Sequence, residues 1–108
     1  MTVHMKRILK FIVDGQTIKK DPTCDFSGIY RGTAGYLQAQ FSFSEEWRGC
    51  KKAASFYRHL GKEHAVLLVN NQCEIPAEAL TGSEWSVSVT GIKDNFKITT
   101  GREKVTQG

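Results

Sequence analysis

The chain has no long apolar run. No stretch approaches the roughly 20 consecutive apolar residues that a membrane-spanning helix needs. The opening residues, Met1 to Arg7, lead into only a short mixed apolar stretch. They have neither the extended apolar centre nor the small-residue cleavage site of a leader, so none is expected. Cysteine is sparse: Cys24, Cys50 and Cys73 are odd in number and contain no Cys-x-x-Cys pair. A secreted disulfide framework is therefore not expected, and reduced thiols in a cytoplasmic setting are. A single Cys50–Cys73 bridge stays open as the alternative. Gly-rich phosphate loops are missing too, since neither G-x-G-x-x-G nor G-x-x-x-x-G-K-[S/T] occurs, which removes the nucleotide-binding signatures.

Charge of one sign is also not concentrated. Lys and Arg number 15 against 11 Asp and Glu, for a net charge of +4 over 108 residues. The basic residues fall in separate groups: Lys6/Arg7/Lys10, Lys19/Lys20, Arg48/Lys51/Lys52, Lys93/Lys97 and Arg102/Lys104. Acidic residues punctuate most of these. A nucleic-acid binder gathers basic charge on one face, so the pattern reads as solvated surface and nucleic acid is not an expected partner.

What the chain does have is alternation. Leu37, Ala39, Phe41 and Phe43 share one face of a period-two segment, with Gln38, Gln40 and Ser42 on the other. Trp85, Val87 and Val89 alternate with Ser86, Ser88 and Thr90 in the same way. Such alternation marks half-buried strands. Ile8, Leu9, Phe11 and Val13 lead into Asp14-Gly15, a short hairpin signal of the type I′ kind. Val66-Leu67-Leu68-Val69 runs into the turn pair Asn70-Asn71, Cys73-Glu74-Ile75 restarts a strand, and Phe96 and Ile98 alternate with Lys97 and Thr99. Residues 21–33 read as an irregular loop. Pro76 suits the first position of one helical turn over 76–80.

Residues 44–61 leave two readings open. One is a helix capped by Ser44 and ended by Gly61, with Trp47, Cys50, Ala54 and Tyr57 at helical spacing. The other is a turn around 47–49 followed by a strand over 52–58, with Ala54 and Phe56 inward. Gly49 costs the helix about 1 kcal/mol relative to Ala. Together the segments predict an all-β domain spanning 1–108, an antiparallel sandwich of seven or eight short strands with at most one helical turn. Residues 1–5 and 107–108 are expected to be flexible ends.

Signals of chemistry are weak. His59 and His64 flank Gly61-Lys62 with no cysteine pair or third histidine nearby, so they are expected to be solvated rather than metal ligands. Cys50 with His59 or His64 is a conceivable nucleophile pair, yet no local activating signature accompanies it. No catalytic, cofactor-binding or metal-binding residues are expected, and the chain is not expected to be an enzyme. The carboxylate pairs Glu45/Glu46 and Glu74/Glu78 are expected to be solvated, and Trp47 and Trp85 to be core anchors. Phe26 and Tyr30, with Tyr36, bracket Arg31 in a Gly-containing loop, a composition suited to protein–protein contact. Phe26, Tyr30 and Arg31 are the first candidates for a partner surface, and Arg48, Lys51 and Arg58 the second. The alternative for the loop is that its aromatics tuck onto the sheet.

Three stretches carry a resemblance. They are Tyr36-Leu37-x-Ala39-x-Phe41-x-Phe43-Ser44-x-x-Trp47-x-Gly49-x-x-Lys52-x-Ala54-x-Phe56, then Val66-Leu67-Leu68-x-x-Asn71-x-Cys73-x-Ile75-Pro76-x-Glu78-x-Leu80, and finally Trp85-x-Val87-x-Val89-x-Gly91 with Ile98-Thr99-Thr100. In order and spacing, over residues 8–106, they resemble the N-terminal domain of baseplate upper proteins and related tail- and head-fibre proteins of tailed phages of Gram-positive and gut bacteria. The resemblance implies an immunoglobulin-like β-sandwich, with 47–49 a turn and 52–58 a strand. It implies that Phe41, Phe43, Ala54, Phe56, Val66, Leu68, Trp85, Val87 and Val89 face inward and that Trp47 plugs one end. It further implies a virion protein, an adaptor, decoration or fibre-attachment module of the baseplate, tail or capsid, assembled in the host cytoplasm as a homo-oligomer with other phage structural proteins. A second expectation is a phage-encoded, anti-CRISPR-like inhibitor that blocks a host defence protein in the host cytoplasm.

Overall fold

A computed structural model describes residues 5–58 and 61–108, in two stacked sheets. The strands are β1 (Arg7–Asp14), β2 (Thr17–Lys20), β3 (Leu37–Phe43), β4 (Lys51–Arg58), β5 (Glu63–Leu67), β6 (Gln72–Glu74), β7 (Glu84–Lys93), β8 (Phe96–Thr99) and β9 (Glu103–Thr106). One sheet has the order β2-β1-β3-β6; the other runs β5-β4-β7-β8, with β9 also on β7. The fold is the expected all-β sandwich. Among the described residues it has nine strands rather than seven or eight, and two 3-10 turns, Glu45–Trp47 and Ala77–Leu80, rather than one. The second is the turn expected after Pro76. Of the two readings of 44–61, the described residues 44–58 adopt the turn plus strand.

Strand pairing is antiparallel except between β1 and β3, which run parallel from Arg7↔Leu37 to Val13↔Phe43, a departure from the wholly antiparallel expectation. A parallel pair needs a dozen or more connecting residues; β2 and the loop over 21–36 supply them. Strands β8 and β9 are one edge strand interrupted by a bulge. Thr90 pairs with Thr99 and Val87 with Glu103, so Ser88 and Val89 face Thr100, Gly101 and Arg102. The extra residue is accommodated by Thr100, whose buried Oγ1 accepts the Val89 amide at 3.0 Å in place of a backbone carbonyl.

Turn chemistry differs from the expectation in an instructive way. The β1–β2 turn centres on Gly15-Gln16, because Asp14 already pairs with Thr17. Gly15 takes φ +58° at the first central position, the type II′ pattern. Asn70 and Asn71 instead take φ 55° and 61° between the reciprocally bonded Val69 and Gln72. The type I′ turn therefore lies there, where the chain passes from one sheet to the other.

The core lies between the sheets. Leu9 rather than Ile8 points inward with Phe11 and Val13. Phe41, Ala54, Phe56, Trp85, Val87 and Val89 are buried, with Phe43, Val66 and Leu68 partly buried against them. A row of rings joins the two ends: Trp85 to Phe11 at 6.4 Å, Phe11 to Phe41 at 5.5 Å, Phe41 to Phe43 at 6.0 Å and Phe43 to Trp47 at 5.1 Å. Trp47 is fully buried at one end, its Nε1 donating to the Gly15 carbonyl at 2.9 Å.

At the other end residues 107–108, expected to be free, are tied down. The Gln107 side chain donates to the Leu80 and Gly82 carbonyls and accepts from Trp85 Nε1. The Gly108 amide donates to the Ile29 carbonyl, and the Gly108 carbonyl accepts from the Arg31 amide. Met5 is exposed, and residues 1–4 lie outside the described residues. Cys24, Cys50 and Cys73 are all free thiols, so the Cys50–Cys73 bridge is not formed. Burial pushes the Cys73 thiol up to about 12.

Candidate docking surface

The loop named first from the sequence divides into a structural and an exposed part. Asp21 accepts the amide and hydroxyl of Thr23, and Asp25 those of Ser27. These bonds hold both carboxyls below the usual range. The Arg7 guanidinium gathers the carbonyls of Asp25, Ser27 and Gly28 at 2.9, 2.6 and 3.1 Å. Ile29 is buried, and Phe26 meets Phe11 edge-on at 5.3 Å. Phe26 therefore tucks onto the sheet. Tyr30 remains 66% exposed, beside Arg31, whose Nε reaches the Gly108 carbonyl at 3.3 Å.

The second group is separated by the length of β4. Arg58 pairs with Trp85 and Lys51 with Ile92, and seven residue steps at about 3.3 Å set the two ends roughly 23 Å apart. Arg58 joins the Tyr30–Arg31 end, where its side chain lies against Gly82. Arg48 and Lys51 lie at the Trp47 end. Of the histidines weighed from the sequence, His59 lies outside the described residues. His64 points inward with its Nδ1 4.0 Å from Glu78. His64 pairs with Phe56, six residue steps along the strand from Cys50, or about 20 Å, so these two are not a nucleophile–base pair.

The surface that stands out is the outer face of the five-stranded sheet at the Trp47 end. Its residues follow from register. Val66 and Leu68 point inward, so Leu67 and Val69 point out and are 74% and 72% exposed. Lys51, Ile92 and Lys97 lie side by side across β4, β7 and β8, and Ile92 is 53% exposed. Beneath this row are Ala53, Thr90 and Thr99, small side chains that leave the aliphatics standing proud. A groove of about 450 Å³ opens between Cys50, Lys51 and Lys52 on one side and Leu67 to Asn71 on the other. A second hollow, about 330 Å³, shares Lys52 and Asn71 and continues to Arg48, Gly49 and Glu45. Exposed aliphatics set among polar groups on one face mark interaction surfaces.

Side-chain contacts tie the elements of this end together. The Lys52 ammonium sits 5.0 Å over the Phe43 ring, Lys93 donates to the Arg48 carbonyl at 3.0 Å, and Arg48 pairs with Glu45 at 3.2 Å. Leu67, Val69 and Ile92 were not singled out from the sequence, where Val66 to Val69 read only as an apolar run into the Asn70-Asn71 turn and Ile92 carried no reading. The signal was present: a strand that is apolar at four consecutive positions exposes alternate ones unless both faces are covered. No family model matches the chain, and neither a curated protein nor a solved structure matches it.

Proposed function

We propose that this sandwich is a non-enzymatic docking module of a tailed-phage virion, an adaptor, decoration or fibre-attachment domain of the baseplate, tail or capsid. It works by protein–protein contact and assembles in the host cytoplasm in several symmetric copies. The observation that carries the docking role is that Leu67 and Val69, at one edge, and Ile92, two strands away beyond Lys51, are exposed on a face whose other side is solid core. Rigid presentation lowers the ordering cost of association. The virion setting is supported by the resemblance of residues 8–106 to baseplate and fibre modules, and the three free thiols suit assembly in a reducing compartment.

The test is quantitative mass spectrometry of gradient-banded particles from cells expressing the gene, scaled to a capsid protein. A fixed copy number consistent with rotational symmetry is expected. Strong expression in cells with none of the chain in particles overturns the virion role and favours an inhibitor of a host defence protein.

A further inference from the structure

The chemistry of the groove goes further than the docking role, on which this inference rests, because it selects the kind of partner. We infer that the groove at the Trp47 end accepts an acidic, extended protein segment bearing aliphatic anchor side chains. Its lining holds two ammonium groups, Lys51 and Lys52, and no carboxylate. Among the described residues neither lysine has a carboxylate partner; Lys52 rests on the Phe43 ring instead. The one carboxylate of the adjoining hollow, Glu45, is already held by Arg48. Lys97 extends the positive row beyond Ile92.

Leu67 and Val69 line the groove opposite Lys51 and Lys52, so one side of it is basic and the other aliphatic, and Ile92 lies beyond Lys51, between it and Lys97. A strand-like segment presents its side chains to two sides in the same way. Asn70 and Asn71, fixed in their turn, add amide groups to the groove wall. Positive charge alone also suits nucleic acid, but single strands are held by stacking bases on exposed aromatic faces. Here Trp47 is fully buried, Lys52 covers Phe43, and the groove's exposed apolar side chains are aliphatic.

The probe is a fluorescein-labelled peptide of about 12 residues in which Glu and Leu alternate, titrated with the full chain by anisotropy. Peptides with Lys for Glu or Ser for Leu, and a labelled oligo-dT, serve as comparisons. Saturable binding of the Glu/Leu peptide is expected, weakened about tenfold or more by Lys51→Glu and by Leu67→Ser. Arg31→Glu, at the opposite end, should change it less than about twofold. All three sites are exposed, and melting curves verify that the variants fold; Val69→Ser replaces Leu67→Ser if that variant does not. No binding, equal binding by all variants, or equal binding of the Glu/Ser peptide overturns the inference. Oligo-dT binding with the same variant sensitivity overturns it in favour of nucleic acid. Presence in particles without peptide binding removes this inference alone, whereas peptide binding by a chain missing from particles removes the virion role alone.

Discussion

Replacing Gly91 by alanine tests whether the Trp47 end is packed as tightly as the geometry requires. A methyl group there meets Trp47 Cε3 at 2.8 Å, Cζ3 at 2.9 Å and Cys50 Cβ at 3.1 Å. Carbon–carbon contacts settle at about 3.5–4.0 Å, so the indole must retreat by roughly 0.7 Å or more. It has little room, since Trp47 is fully buried, packs on Phe43 and is anchored to the Gly15 carbonyl. Overpacking of this kind costs about 1–3 kcal/mol. Loss of the Nε1 hydrogen bond adds about 1 kcal/mol, and the stiffer unfolded chain returns about 0.4–1 kcal/mol. A net destabilisation of about 1–3 kcal/mol follows, equivalent to about 5–15 °C in Tm for a domain of this size. Urea unfolding followed by tryptophan fluorescence and circular dichroism reads it, with the midpoint falling and the slope unchanged. Combining Gly91→Ala with Trp47→Phe shrinks the clashing ring, so the double variant should be at least about 1 kcal/mol more stable than the sum of the singles predicts. A Gly91→Ala protein as stable as the parent, or strict additivity in the double variant, refutes the packing account.

Three further outcomes follow, one from the opposite end and two from Cys73. Gln107→Ala removes three hydrogen bonds that join β9, the Ala77–Leu80 turn and Trp85; it should lower stability by about 1–3 kcal/mol, and an unchanged melting temperature shows that the tail is not a clamp. Cys73, with its pKa near 12 rather than 9.0, should carry about a thousandfold less thiolate at pH 8 than an ordinary thiol. It should therefore react with a thiol reagent only on unfolding, and labelling at a rate independent of denaturant contradicts its burial. Because the native state holds this proton more tightly than the unfolded chain, the stability it governs is intact below pH 9 and declines as pH rises from there toward about 12.

Strands were legible in the sequence wherever one face is buried and the other solvated. Gln38, Gln40 and Ser42 against Leu37, Ala39 and Phe41, and the serines between Trp85, Val87 and Val89, fixed both the existence and the inward face of β3 and β7. Boundaries and partners were less legible, because they depend on contacts distant in sequence. Nothing local in Arg7 to Asp14 says that it pairs in parallel with β3, and nothing in Thr99-Thr100-Gly101 announces a bulge until β7 lies opposite. The clamp at 107–108 was hidden for the same reason: polar terminal residues look free until Leu80, Gly82 and Trp85 are placed beside them.

The candidate surface shows a different kind of illegibility. The sequence pointed to a loop with two aromatics and an arginine, since such composition is common at interfaces, yet Phe26 packs edge-on against Phe11 and Ile29 is buried in the core. Composition cannot distinguish an aromatic that anchors a partner from one that anchors its own loop. What separates them is the third dimension: the carbonyls gathered by Arg7 and the Asp–Ser and Asp–Thr turns make the loop part of the fold. Leu67, Val69 and Ile92, by contrast, contribute little to the core and remain exposed on a face where their neighbours are Ala53, Thr90 and Thr99. An exposed aliphatic carries a solubility cost, and Leu67 and Val69 beside Lys51, with Ile92 between Lys51 and Lys97, make sense as a surface completed by another molecule.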